Sequence, residues 1–407
     1  MKIFKRILLT FLLLIIISGS IFFPTLRRLY WTMTLFDKEV IAENFMGMNK
    51  KFKSHEIQPG EKVFQFPKGE QIQLPEVFTF NNQQYQTAQY LDSSFTAGFL
   101  VIQNDSLVYE KYFLGDTDST QFISWSMAKS FVSALFGIAV EEGYIKSIDQ
   151  KVEEYLPELI GSGYEGVRIK DVLQMSVGVK FNEDYGDFYS DINKWGRGFA
   201  LGTSQDAFAA TLVREEEPGT RNHYVSINTH VLGMIIVKAT GKGLSQYLAE
   251  KLWEPMGMEY PAYWLCDNLG MEVALGGLNV TLRDYAKMGQ LYLNNGNWNG
   301  QQIVPENWVK ASVTPDAPHL MPGITQSNSH SFGYGYQWWI PYGDEGEFMA
   351  MGVYNQYIYV NPTTRTVIVK NSANYKYNEL GNPYASSDVI IELFRAIAHQ
   401  NNKLDSI

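Results

Sequence analysis

The alternation of apolar and polar positions along the chain predicts a handful of clear elements. Behind Lys2, Lys5 and Arg6 an apolar run extends from Ile7 to Phe23, broken only by Thr10, Ser18, Gly19 and Ser20. A helix needs about 20 apolar residues to cross the hydrocarbon layer, so this run is slightly short but adequate. Residues 30–90 show no strong period and read as a polar lead-in with short elements, including the turn-like Gln58-Pro59-Gly60-Glu61. Two β-rich runs, Ala97–Gln103 and Leu107–Phe113, are joined by Asn104-Asp105-Ser106, a hairpin signal. From Ser126 to about Gly143, Phe131, Val132, Leu135, Phe136, Ala139 and Val140 recur at helical spacing, with Gly143 placed to end the helix. Helical and loop material fills roughly 150–310. It includes a helix that starts at Thr281, with Asp284 as a capping-box-like partner, and stops near Asn295-Gly296. Tyr357–Val360 and Thr366–Lys370 read as strands, and an amphipathic helix begins near Ser387-Asp388 with Val389, Ile390, Leu393, Phe394 and Ile397 on one side. Strands at both ends with helices between predict an α+β fold: one antiparallel sheet assembled from the two chain ends, flanked by helices, with a helical insertion. The expected organisation is a signal-anchor or transmembrane segment over 1–28, a lead-in over 29–90 and a main domain over 91–400.

Composition narrows the function. The formal net charge of −10, with no long Lys/Arg run, argues against a nucleic-acid binder. A single cysteine, Cys266, excludes an internal disulfide framework and a cysteine metal cluster. The six histidines show no HExxH spacing, so a zinc hydrolase is not expected and no metal or organic cofactor is implied. At the N-terminus two readings stand: a cleaved signal peptide with Ser18 and Ser20 before the cut, or an uncleaved anchor. Ile21-Phe22-Phe23 beyond the candidate cut favours the anchor. The basic cluster before the run favours a cytoplasmic N-terminus, a signal that Arg27-Arg28 weakens. Either reading places the main domain outside the cytoplasmic membrane, held to the cell membrane or secreted.

The sharpest local feature is Ser126-Met127-Ala128-Lys129 at the mouth of a predicted helix. A spacing of three puts both side chains on one face. A serine hydroxyl needs a neighbouring base, and a lysine amine serves if burial depresses its pKa. The helix N-terminus offers free N–H groups to a developing oxyanion. Ser-x-x-Lys alone is expected about once by chance in a chain of this length, and its alternative is a surface lysine with a capping serine. No G-x-S-x-G elbow exists, and Gly241-Lys242-Gly243 lacks the upstream glycine of a P-loop.

The context of the motif carries more weight. Ser126-Met127-Ala128-Lys129-Ser130-Phe131 is followed by Gly137-Ile138-Ala139-Val140-Glu141-Glu142-Gly143 and Tyr155-Leu156-Pro157-Glu158-Leu159. Then come Asp171-Val172-Leu173-Gln174-Met175-Ser176-Val177-Gly178, Glu217-Pro218-Gly219-Thr220, Asn228-Thr229-His230-Val231-Leu232-Gly233, Glu254-Pro255-Met256-Gly257-Met258, Gly276-Gly277-Leu278 and Thr281-Leu282-Arg283-Asp284. In this order, over about 92–400, the chain resembles the serine β-lactamase/penicillin-recognising family, above all the branch of class C β-lactamases, esterases and 6-aminohexanoate-dimer hydrolases. The resemblance implies a β-lactamase/transpeptidase-like fold and a serine acyl-enzyme. It implies Ser126 as nucleophile, Lys129 as base and Tyr224, in Tyr224-Val225-Ser226, as the second proton-transfer group, with Lys129 expected to lower the phenol's pKa. Tyr292-Leu293-Asn294 fits the same pattern but lies inside a helix, where packing explains it. Ser226 is a candidate to hydrogen-bond the substrate or Lys129. Gly352 matches the family's strand glycine, and the N–H groups of Val353 and Ser126 are the implied oxyanion pair. Where relatives carry lysine or histidine, this chain has Ala350, which speaks against β-lactams and cell-wall peptides and toward a neutral ester or amide. Tyr185 and Asp187 fall where oligoamide hydrolases of the family carry a substrate-facing loop. Trp195, Trp338 and Trp339 are candidates for the cleft wall or the core, and His223 abuts Tyr224. The expected partners are a small ester or amide substrate and the membrane through the N-terminal segment. Two alternatives remain open: a penicillin-binding protein or β-lactamase, and a catalytically silent binding or sensor module on the same fold.

Overall fold

A computed structural model describes residues 2–328 and 330–400. The chain opens with helix α1 (Lys2–Met33), whose apolar outer face is exposed along most of its length. The main body is built from strands β1 (Ser54–Ile57), β2 (Thr96–Gln103), β3 (Ser106–Tyr112) and β4 (Phe122–Ile123), then helices α2 (Ala128–Glu141), α3 (Asp191–Leu201) and α4 (Ser226–Thr240). Strands β5 (Ala262–Leu265) and β6 (Leu278–Val280) and helix α5 (Leu282–Leu293) follow. The C-terminal part supplies β7 (Gly333–Tyr334), β8 (Trp339–Ile340), β9 (Phe348–Gly352), β10 (Gln356–Asn361), β11 (Thr366–Ser372) and helix α6 (Ser387–Ala398).

The main sheet is seven-stranded and antiparallel, in the order β7-β8-β9-β10-β11-β2-β3. Strands from both chain ends meet where β11 pairs with β2, with Ile368 opposite Val101 and Val369 opposite Leu100. Every residue of β2 and β11 is buried, because helices cover both faces. On one face α6 lays Phe394 against Tyr357, Tyr359 and Phe99. On the other face α5 approaches so closely that a Cβ at Gly289 would stand 2.5 Å from Val367 and 2.9 Å from Ile358. Thr281 caps α5, its hydroxyl accepting from the Asp284 N–H, and Gly143 turns the chain after α2 with φ +77.

Two features go beyond the predicted pattern. The 150–310 region also contributes β5 and β6, which join β1 and β4 in a second sheet ordered β1-β5-β6-β4. These strands are short and buried on both faces, so they carry no alternation to read. The lead-in supplies β1 and places Ile41, Phe45, Met48, Phe52 and Ile57 in the main core.

Candidate active site

Ser126 sits in a tight 3-10 turn, Trp125–Met127, that feeds directly into α2. Trp125, just before it, holds φ +44, a conformation that costs an L-residue about 1–3 kcal/mol and persists only where packing enforces it. The enforcing contacts are aromatic. Phe36 and Phe45 from the lead-in and Tyr354 from the turn after β9 surround the indole at ring-centroid distances of 5.8, 5.3 and 5.9 Å.

Lys129, one turn along, is fully enclosed. Its Nζ lies 3.0 Å from Ser126 Oγ and donates to the carbonyl of Leu275 at 2.6 Å. Burial pushes its pKa down to about 7, a shift that the charge of Glu183 partly opposes. A neutral amine beside the hydroxyl is therefore available near neutral pH.

Tyr224 completes the group. Its side chain lines the same cleft as Ser126, and Lys129 Nζ stands 5.3 Å from its ring centroid. Trp339 stacks on the ring at 5.2 Å, and Tyr334 meets it edge-on at 6.2 Å. The expectation that Lys129 lowers the phenol's pKa is corrected here. Burial first, and then the charge of Glu183, hold it well above its ordinary value, with Ser126 pulling weakly the other way. Lys129 does not offset these effects, so Tyr224 is held as a neutral phenol rather than as a standing phenolate.

Glu183 was not anticipated from the sequence. Its carboxylate accepts from the Ser226 hydroxyl at 2.5 Å, the Ser226 N–H at 2.9 Å and the Tyr185 hydroxyl at 2.8 Å. Burial raises its pKa and Lys129 lowers it, so the two groups compete for charge. The only sequence signal was its place in an acidic loop whose other members were more conspicuous. Ser226 is thus engaged by Glu183 rather than by Lys129.

The end of β9 closes the site. A Cβ on Gly352 would fall 2.5 Å from the Ser124 carbonyl, so only glycine allows this approach. Among the described residues no protein acceptor takes the N–H of Ser126 or of Val353. Ala350 is buried in the core, paired across the sheet with Ile358, and among the described residues no lysine or arginine lines the cleft. Together Ser126, Glu183, Tyr185, Tyr224, Gly352 and Val353 line a cleft of about 620 Å³, along with His223, His330, Trp339 and Asp388.

Other predicted residues fall elsewhere. Asp187 is not part of the cleft wall; its carboxylate accepts from the Tyr189 N–H at 2.8 Å and closes its own loop. Trp195 stacks on Phe199, and Trp338 packs on Tyr292 and Phe348 in the core. A larger groove of about 1030 Å³, lined by Ile72, Leu74, Tyr109 and Tyr384, holds none of the Ser126, Lys129 and Tyr224 group.

A family profile described as Beta-lactamase matches residues 87–384. The chain belongs to the β-lactamase family. It is 30% identical over 292 residues to a 6-aminohexanoate-dimer hydrolase of Paenarthrobacter ureafaciens, spanning 70% of this chain and 74% of that one. A solved structure from Bacillus anthracis, carrying a provisional 6-aminohexanoate-dimer hydrolase name, superposes with a TM-score of 0.80 at 26% identity, over 91% of this chain and 96% of that one. A class C β-lactamase mutant shares the fold at 18% identity and a TM-score of 0.56, over 77% of this chain and 94% of that one. The protein is a hydrolase with the β-lactamase/transpeptidase-like fold.

Proposed function

We propose that this β-lactamase-family protein cleaves an ester or linear amide through an acyl-enzyme on Ser126, with its catalytic domain tethered to the membrane by α1. The observation that carries the reading is the buried Lys129 Nζ, 3.0 Å from Ser126 Oγ and with its pKa pushed down to about 7. In the proposed cycle Ser126 Oγ attacks the substrate carbonyl and its proton passes to Lys129. The N–H groups of Ser126 and Val353 hold the oxyanion, a contribution of about 3–4 kcal/mol per donor where such donors have been removed. Collapse breaks the bond to the leaving alcohol or amine, which takes a proton from Tyr224, and Lys129 returns a proton to the phenol. Water then gives up a proton to the same pair as it attacks the acyl carbon, and the pair returns that proton to Ser126 Oγ as its bond to the acyl group breaks, which frees the acid product and restores the serine.

The names of the relatives favour a linear amide. The neutral Ala350 supports an uncharged acyl portion over a β-lactam carboxylate. For the anchor, the support is that α1 from Ile3 to Met33 is apolar and long enough to cross a membrane and has none of its apolar stretch buried. The test is covalent labelling. The native chain should take up a fluorophosphonate and give an acyl burst with p-nitrophenyl esters, and Ser126→Ala should do neither. Undiminished labelling in that variant would mean that another residue is the nucleophile. Turnover of nitrocefin exceeding that of linear amides would transfer the assignment to β-lactams.

A further inference from the structure

Where α1 meets the body of the protein, a second cavity, which shares no lining residue with the cleft, carries an unusual arrangement of charge. Helix α1 has 32 residues, which at about 1.5 Å each span roughly 48 Å, well beyond a hydrocarbon layer of about 30 Å. Its last turns leave that layer and pack against α3. There Arg27 and Arg28 meet Lys50, Lys51 and Lys53 of the lead-in around a cavity of about 510 Å³. Arg27 lies over the Trp31 ring at 4.6 Å, and Lys51 Nζ approaches the same ring at 5.8 Å.

None of these five cations pairs with a carboxylate among the described residues, whereas Arg168, Arg283 and Arg395 each do. Arg28 reaches the Asn268 side-chain oxygen and leaves its buried Nε without a partner. Lys53 reaches the Asn268 carbonyl, at 3.4 Å. The one carboxylate lining the cavity among the described residues, Asp267, accepts from the N–H groups of Gln205, Leu269, Gly270 and Met271. In a chain of net charge −10, five cations gathered around a cavity that holds one carboxylate leave a local excess of positive charge, which favours an anion from outside.

We propose that this collar binds the headgroups of anionic phospholipids and seats the catalytic domain against the membrane surface. The inference rests on α1 being the anchor, which places the collar at headgroup height. Tyr30, largely exposed on the same turn, is of the type that favours that interface. The collar thereby adds a second point of attachment to α1 and fixes the orientation of the cleft relative to the bilayer.

The test uses the full chain in nanodiscs of phosphatidylcholine alone, or with a third of the lipid replaced by phosphatidylglycerol. One basic residue near an anionic surface is worth about a fivefold preference. Amide hydrogen exchange over 47–53 and 266–270 should therefore slow at least about fivefold in the anionic discs, and high salt should abolish the difference. The combined variant Lys50→Gln, Lys51→Gln, Lys53→Gln should exchange alike in both discs yet hydrolyse p-nitrophenyl esters normally, since none of the three lines the cleft. Equal exchange of the native chain in both discs, or retained protection in the variant, would overturn the proposal. Equal protection by inorganic phosphate in detergent would overturn it in favour of a soluble anion. Retention in pure phosphatidylcholine discs at high salt tests the anchor separately, and its loss would remove anchor and collar together.

Discussion

Replacing Lys129 with methionine separates the cost of the buried amine from its use. In the folded chain the amine's pKa is about 7, against an ordinary value of 10.5. Between those values the unfolded chain holds a proton that the folded chain does not, so folding stability rises with pH. The slope is about 1.4 kcal/mol per pH unit. Over the interval it accumulates to roughly 5 kcal/mol, all of it missing below pH 7. Methionine has a similar length and does not titrate. Lys129→Met should therefore lack this rise, and the stability difference between variant and native chain should move in the native chain's favour by about 1.4 kcal/mol per unit above pH 7. Below pH 7 the difference should be flat, with the lost contacts to Ser126 and the Leu275 carbonyl each costing about 1–3 kcal/mol against the relief of the buried charge. The assay is urea unfolding in a nonionic detergent from pH 6 to 10, followed by tryptophan fluorescence. In parallel, kcat/KM of the native chain on a neutral ester should climb tenfold per unit up to a limb near pH 7, and the variant should be inactive. Parallel stability curves, or an activity limb well removed from neutrality, would refute the assignment of Lys129 as a buried neutral base.

Three further outcomes follow from the same geometry. Glu183→Gln keeps an acceptor for Ser226 but removes the charge that holds Lys129 up, so the acidic limb of kcat/KM should move to lower pH; an upward shift would contradict the coupling. Gly352→Ala pushes a Cβ into the Ser124 carbonyl and should lower kcat by about a hundredfold through displaced backbone donors, with fluorophosphonate labelling slowed in step. Phe45→Ala should cost about 3–5 kcal/mol of unfolding stability and reduce the acyl burst, because it loosens the packing that holds Trp125; a loss below about 1 kcal/mol would mean that the turn is held by other contacts.

What could be read in advance followed the strength of the local signal. The Ala97–Gln103 hairpin, the helix after Ser126 and the Thr281 cap were legible because periodicity and capping act within a few residues. Ser126, Lys129 and Tyr224 stood out in the chain because an ordered run of motifs marked them, and the fold brings the three side chains near one another. Glu183 was hidden because its role depends on a fold that brings it to Ser226, 43 residues away. Asp187 looked equivalent from the chain alone, yet it turns inward to its own loop. The short strands β5 and β6 left no trace because full burial erases alternation. The direction of the Tyr224 shift depended on the surrounding dielectric, which no spacing encodes.

The cluster of Phe36, Phe45, Trp125 and Tyr354 has a practical corollary for anyone preparing a soluble form. A chain trimmed to the family-matched stretch would begin at residue 87 and discard two of the four rings. A soluble form that keeps this packing therefore starts upstream of Phe36, just past the end of α1, so the tether and the turn that carries Ser126 share one aromatic cluster.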